Sequence, residues 1–148
     1  MSDWKPPPFG TPVWLGIPAQ DVERGKNFPL ASKFYSTVFR ITFKAPKNAP
    51  DPKHEQLFDF TSQGLNITGG ILKAPDSSGA FTTGRGGVCI HWFVEDIDDT
   101  AKIIESAGGR MVSEKEKESE SGMYRYFEDT EGNVGSVYMA LKNKQGNE

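Results

Sequence analysis

Cys89 and His91 are two residues with chemically active side chains that lie close together in the chain. They alternate with apolar residues in the stretch 88–94, whose β-branched and aromatic composition predicts a strand. Side chains alternate across a strand, so Cys89, His91 and Phe93 share one face. A thiol and an imidazole can bind zinc or copper, and an imidazole can also move a proton in acid–base catalysis.

Both side chains also have a structural interpretation. A stable metal site needs three or four protein ligands, and His54, the other histidine of the chain, lies in a polar loop broken by prolines. A structural or hydrogen-bonding role is therefore favoured over metal ligation for His91. A buried, unreactive role is favoured over a thiolate for Cys89, because the sequence shows no positive neighbour for it. We expect no cofactor.

A helix follows this strand. Asp96 is a suitable N-cap, Asp98 and Asp99 place negative charge in the first turn, and apolar residues recur at helical spacing until a glycine pair. The pattern predicts a helix over 97–107. If the even-numbered residues of the strand pack on the helices, the face carrying His91 points away from them.

The order of elements occurs twice along the chain. The first half predicts a strand at 13–17, a helix at 30–39, and strands at 41–45, 56–61 and 66–73. After a Gly/Ser/Thr-rich connector, the second half predicts a strand at 88–94, the helix at 97–107, and strands at 110–113, 123–127 and 134–141. Asp129 and the turn at Gly132 and Asn133 join the last two strands. The charged loop 114–120 is either solvated or a lid.

These elements predict an α+β fold of two tandem βαβββ modules, at about 13–74 and 87–141, within one domain over 13–141. Residues 1–12 form a Pro-rich arm and residues 142–148 a polar tail. The chain has 148 residues, a net charge of −3 and one cysteine. It has no basic field for nucleic acid and no apolar run that could span a membrane. No signal peptide is evident, and we expect a cytoplasmic location.

Three stretches resemble the vicinal oxygen chelate superfamily, which includes glyoxalase I, extradiol dioxygenases, methylmalonyl-CoA epimerase and bleomycin-resistance proteins. They are GIPAQDVER followed by KFYSTVF, then WFVEDIDDTAKIIESAGGRMV, and finally YRYFEDTEGNVGSVYM. Together they cover most of the chain between Val13 and Met139. Residues 25–30 look like an insertion in the first connection.

The resemblance implies a curved mixed sheet around a ligand cavity, with the helices outside. In metal-dependent members, His or Glu side chains from the first and fourth strands of each module hold one divalent ion. The corresponding positions here are Trp14 or Gly16, Thr68, Cys89 (five residues before Val94) and Ser136. The usual ligand set is therefore absent.

The same resemblance places an aromatic group on the strands that line the cavity, although these side chains could also simply fill it as core. The expected ligand-binding residues are Trp14, Cys89, His91, Phe93, Tyr124, Tyr126, Ser136 and Tyr138. The sequence therefore favours a metal-free protein of the bleomycin-resistance type that binds a small aromatic or planar molecule. The alternative is an enzyme of lyase, isomerase or dioxygenase type that uses His91 as acid or base or holds a non-standard metal site. A homodimer is expected from the same resemblance.

Overall fold

The computed structural model describes residues 6–19, 27–44, 55–60, 63–65, 67–73, 82–85 and 87–141. His54, part of the predicted arm, the tail 142–148 and the first residues of the predicted insertion lie outside these ranges. In chain order, the described elements are β1 (Trp14–Ala19), α1 (Asn27–Phe39), β2 (Glu55–Asp59), β3 (Thr68–Lys73), β4 (His91–Phe93), α2 (Ile97–Ser106), β5 (Arg110–Met111), β6 (Glu116–Glu118), β7 (Gly122–Glu128) and β8 (Val134–Ala140).

The first sheet has the strand order β1-β3-β2, in which β1 runs parallel to β3 and β2 runs antiparallel to it. The strand predicted at 41–45 is reduced to one bridge between Lys44 and Leu57. Its reciprocal backbone hydrogen bonds measure 2.9 and 2.8 Å. Ile41 and Phe43 still pack against the core, so the segment keeps its apolar contacts without forming a regular ladder.

The second sheet repeats this order with more strands. Its path is β4-β8-β7-β5, with β4 parallel to β8, β8 antiparallel to β7, and β6 paired with β7. The repeated parallel and antiparallel pairings confirm the predicted pair of βαβββ modules, which here form two mixed sheets. The predicted loop 114–120 is not all loop, because the Glu/Lys alternation at its centre forms β6.

The two helices differ in their first turns. In α2 the side chain of Asp96 accepts a hydrogen bond from the Asp99 backbone amide at 2.9 Å, as the predicted N-cap requires. In α1 the first residue is Asn27, three residues before the predicted start, so the helix includes Pro29. Pro29 lies in the first turn, where backbone amides have no intrahelical partner and a proline loses no hydrogen bond.

The core lies between the helices and one face of each sheet. Rings of α1 pack on the second sheet, with centroid distances of 4.4 Å for Phe39 and Trp92 and 5.9 Å for Phe34 and Phe127. On the other side α1 contacts β1 and β3, so this helix belongs to the first module but joins both sheets. Neither described helix is long and apolar enough to cross a membrane.

Candidate functional site

The face of the second sheet turned away from the helices carries six side chains that we call the open aromatic surface. Trp92 is buried against Tyr35 and Phe39 of α1, whereas its neighbours His91 and Phe93 are exposed. This confirms the predicted alternation in β4. The pairing register extends the same face across β8 and β7. The surface therefore consists of His91, Phe93, Tyr124, Tyr126, Ser136 and Tyr138.

The surface is arranged in two rows across three strands. In the first row Tyr138 lies between Phe93 and Tyr124, and in the second Ser136 lies between His91 and Tyr126. The ring centroids of Phe93 and Tyr138 are 6.5 Å apart, and those of Tyr124 and Tyr126 are 5.6 Å apart. The rings of each pair are close enough for aromatic contact on this face.

Ser136 is the small residue at the centre of the second row. The His91 ring lies 6.3 Å from both Tyr124 and Tyr126 by centroid, in an edge-on arrangement with Tyr124. Ser136 is fully buried, whereas the other five residues of the open aromatic surface are at least partly exposed. Its Oγ lies 2.6 Å from His91 Nδ1, a short hydrogen bond that fixes the orientation of the imidazole.

The three tyrosines of the surface differ in their hydroxyl groups. Tyr138 donates a hydrogen bond of 2.9 Å to Glu118 of β6, and this bond raises the pKa of the phenol. Within the part of the chain that the structure describes, the hydroxyl groups of Tyr124 and Tyr126 have no hydrogen-bond partner. They are therefore available to a ligand. The sequence did not predict this contact between Glu118 and Tyr138, although the alternating charges around Glu118 are typical of an exposed strand.

Two of the expected site residues lie elsewhere. Cys89 precedes β4, so the strand alternation does not extend to it, and its thiol lies 3.6 Å from the Ile90 carbonyl oxygen. Burial raises the pKa of the Cys89 thiol, which favours the unreactive interpretation. Trp14 lies on β1 in the first sheet, and its ring is close to Gly70. No ring contact among the described residues joins Trp14 to the open aromatic surface.

A charged group lies at one end of the same face. Glu128 pairs with Arg110 across β7 and β5, and its carboxylate accepts hydrogen bonds from Arg110 Nε at 3.1 Å and Arg85 Nη2 at 3.1 Å. The hydrogen bond from Arg110 is the main cause that lowers the pKa of Glu128. The three side chains carry one net positive charge beside the aromatic rows.

The turn between β7 and β8 holds a buried polar network. Tyr35 donates to Asp129 Oδ2 at 2.7 Å, while Asp129 Oδ1 accepts from the backbone amides of Glu131 and Asn133 at 2.8 and 2.9 Å. Burial raises the pKa of Asp129 despite these bonds, and burial followed by the Asp129 charge raises that of Tyr35. The Asn133 side-chain amide also donates to the Pro18 carbonyl oxygen at 3.0 Å, which ties the second module to β1.

The open space near this network is separate from the predicted ligand-binding residues. A cleft of about 350 Å³ lies between β1 and β4, with Pro18, Tyr35, Ile90 and Asn133 among its lining residues. None of the open aromatic surface residues lines it. In a single chain the aromatic side chains thus form an open face, and the cleft lies between the two sheets.

Comparison with known proteins identifies the family. The Glyoxalase/Bleomycin resistance protein/Dioxygenase superfamily matches residues 14–135. The chain belongs to this superfamily. The chain is also 28% identical over 129 residues to a glyoxylase-like domain-containing protein from Didymella fabae. This match covers 83% of this chain and 88% of the relative.

Solved structures share the superfamily fold. A glyoxalase/bleomycin resistance protein/dioxygenase family enzyme from Burkholderia phytofirmans PsJN has a TM-score of 0.66 at 15% identity, covering 86% of this chain and 97% of that one. An antibiotic binding protein from a Streptomyces species has a TM-score of 0.62 at 14% identity, covering 90% and 98%. At such identities the likeness establishes the fold, as predicted, and leaves activity and ligand to other arguments.

The strand register shows which side chains lie beside each other near the predicted ligand positions. In the second sheet His91 pairs with Ser136, and Cys89, the predicted ligand position, lies two residues before His91 and outside β4. Gly16 precedes Asp21 by the same interval as His91 precedes Asp96, and Gly16 pairs with Gly70 in the first sheet. The four positions therefore offer one imidazole and one hydroxyl.

These donors do not fit a divalent ion of the superfamily type. Two glycines provide no side-chain ligand, and a serine hydroxyl is a weak one. In the alternative register the first sheet offers Trp14 and Thr68, which adds one hydroxyl. Across the described residues, no three His, Cys, Asp or Glu side chains are grouped so that they could hold a metal ion.

Proposed function

We propose that this protein binds a small planar organic molecule on the open aromatic surface, without the metal ion of its metal-dependent relatives. The observation that carries the proposal is the set of aromatic rings exposed on one face of the second sheet. Phe93 is 75% exposed, although its ring has an aromatic neighbour in Tyr138. Large apolar rings grouped at a surface are typical of a binding site, since burying them against a partner releases water.

The chemistry of the surface supports a ligand that is flat and partly polar. Flat ligands can stack on Phe93 and Tyr138 or pack against the edges of Tyr124 and Tyr126. His91 and the two unpaired phenols supply a few fixed polar groups among these rings. Apolar walls with a small number of oriented polar groups are the usual composition of small-molecule sites.

A titration with planar probes tests this proposal. We would measure the affinity of fluorene and related tricyclic aromatic compounds for the wild-type protein and for the Phe93→Ala and Tyr124→Ala variants. Each truncation should weaken binding by about tenfold, because one stacking or edge contact is lost. Ile103→Ala is the matched control, since Ile103 is an exposed apolar residue on α2, away from the surface. Equal affinities in all variants would contradict the proposal.

A second copy of the chain is the proposed protein partner, since a homodimer would cover part of the exposed apolar area. Sedimentation velocity at several protein concentrations tests this partner. A species with twice the mass of the chain supports the homodimer, and a monomer at all concentrations contradicts it.

Acid–base catalysis by His91 is a second candidate function. It is favoured by the short hydrogen bond between His91 Nδ1 and Ser136, which orients an exposed imidazole beside two phenols. A His91→Gln variant that retains affinity for a substrate but loses turnover would support catalysis. A variant with unchanged turnover would exclude this role for His91.

A further inference from the structure

The hydrogen bond between Ser136 and His91 can be formed with the proton on either partner. In one arrangement the serine hydroxyl donates to an unprotonated Nδ1, and the imidazole proton is on Nε2. In the other the Nδ1–H group donates to Ser136 Oγ, and Nε2 is a bare acceptor. The 2.6 Å distance fits both, so the surroundings of Ser136 must decide between them.

Burial of Ser136 favours the first arrangement. Its side chain has 0% exposure, and His91 Nδ1 is its hydrogen-bond partner among the described residues. If Nδ1–H were the donor, the hydroxyl proton of Ser136 would be left inside the protein without an acceptor. A buried donor that lacks an acceptor is rare and costly, whereas an unfilled lone pair on an oxygen that already donates is tolerated better.

We propose that Ser136 donates to His91 Nδ1 and thereby holds the imidazole as the Nε2–H tautomer. Ser136 is a positioning residue, because it acts on the ligand through His91. The Nε2–H group lies on the exposed ring and has no partner among the described residues. It is therefore a fixed hydrogen-bond donor on the open aromatic surface.

This tautomer defines the class of ligand. The phenol hydroxyls of Tyr124 and Tyr126 are also unpaired within the described ranges, so the surface presents three neighbouring groups that can donate hydrogen bonds to a ligand. A matching ligand is a planar aromatic molecule with a carbonyl or phenolate oxygen. This inference rests on the proposed function, since it specifies the ligand of the same surface. In the catalytic alternative it makes neutral His91 a hydrogen-bond donor to a substrate oxygen.

Nitrogen NMR tests the tautomer directly. Long-range ¹H–¹⁵N spectra of the labelled protein, recorded at a pH where the imidazole is neutral, distinguish a protonated Nε2 from a protonated Nδ1. The His91→Gln spectrum assigns the signals, because the chain has two histidines. We expect the Nε2–H form in the wild type and a mixture of tautomers in Ser136→Ala. The Nδ1–H form in the wild type would overturn the proposal without any variant, as would an unchanged tautomer in Ser136→Ala.

A matched pair of probes tests the ligand class. Fluorene and 9-fluorenone are both planar, and only fluorenone carries a carbonyl oxygen. We expect fluorenone to bind about tenfold more tightly than fluorene to the wild type, and His91→Phe to lower this ratio of affinities several-fold. Equal affinities for both probes would refute the selectivity. If neither probe bound to the wild type, the proposed function would be refuted, while the NMR result would still decide the tautomer.

Discussion

The two sheets repeat one order of strands but present different open faces. In the first sheet Gly16 and Gly70 occupy a paired position where the second sheet has His91 and Ser136. The first face thus offers no side chain at this pair, while the second surrounds it with aromatic rings. At this paired position, the second copy of the module therefore carries polar and aromatic groups, whereas the first copy presents only backbone.

Packing explains part of this division. A Cβ atom at Gly69 would collide with the Leu15 carbonyl oxygen and would lie 2.7 Å from the Phe58 ring. The first sheet therefore needs glycine for the close approach of β1, β3 and Phe58. The second sheet has its large side chains on both faces, with Trp92 and Phe127 inside and Phe93 and the tyrosines outside.

The largest predicted effect separates the covered and open faces of the second sheet. Trp92→Ala should lower the free energy of unfolding by about 3–5 kcal/mol, because it removes the ring that packs on Tyr35 and Phe39. Phe93→Ala, the adjacent control on the open face, should change it by less than about 0.5 kcal/mol. Urea unfolding monitored by circular dichroism measures both. Similar losses in the two variants would mean that the open face also supports the fold.

A smaller effect distinguishes the two neighbouring glycines of the first sheet. Gly69→Ala should destabilise the protein by about 2–3 kcal/mol, since the new methyl group collides with backbone that cannot move away easily. Gly70→Ala should cost less, because its closest contacts are 3.1 Å and include the adaptable Leu57 side chain. The unfolding midpoints of both variants in urea test this order. The reverse order would show that close packing does not explain the glycines of this sheet.

Tyr35→Phe tests the polar join between the two modules. We expect a loss of about 1–3 kcal/mol at pH 7, because Asp129 loses the phenol donor. The folded-state pKa of Asp129 already lies above its ordinary value of 3.8, so its contribution to stability falls as pH rises through that folded pKa. Removing a donor to the charged form raises the folded pKa further.

The loss caused by Tyr35→Phe should therefore be greater at pH 7 than at pH 4. Unfolding in urea at both values measures the difference. Tyr138→Phe is the control, since its hydroxyl bonds to an exposed glutamate and its removal should leave the midpoint nearly unchanged. A pH-independent loss in Tyr35→Phe would argue against an ionised Asp129 as the acceptor.

The smallest effect concerns the charged end of the open face. Glu128→Gln should cost less than about 1 kcal/mol, because Arg85 and Arg110 are largely exposed and water screens the pairs. The folded-state pKa of Glu128 is lowered from 4.5, so its contribution is present above 4.5 and is lost as pH falls through the lowered value. Thermal melts should show a larger difference between wild type and variant at pH 7 than at pH 3.

Local patterns in the sequence were sufficient for much of the fold. The cap at Asp96 and the alternation through His91, Trp92 and Phe93 depend on adjacent residues, and both are confirmed. The strand at 41–45 was wrong in extent, because an apolar pattern does not determine how many ladder hydrogen bonds an edge segment forms.

The candidate site depended more on long-range pairing. That Ser136 lies beside His91 follows from the parallel register of β4 and β8, which no local pattern specifies. The same holds for Glu118 and Tyr138, and for Asn133 and Pro18, which are distant in sequence. The aromatic residues themselves could be predicted from composition and alternation, but their spacing and free hydroxyl groups could not.

The Asn133 side chain has a consequence for how the protein opens. Its amide group donates to Pro18 in one module and to Asp129 in the other, while its oxygen accepts from the Gly84 amide in the connector. Neither module can separate without breaking these bonds together. Native-state hydrogen exchange should therefore show the slowest amides of β1 and β8 exchanging in one cooperative event, with no partly unfolded form in which a single module stays closed.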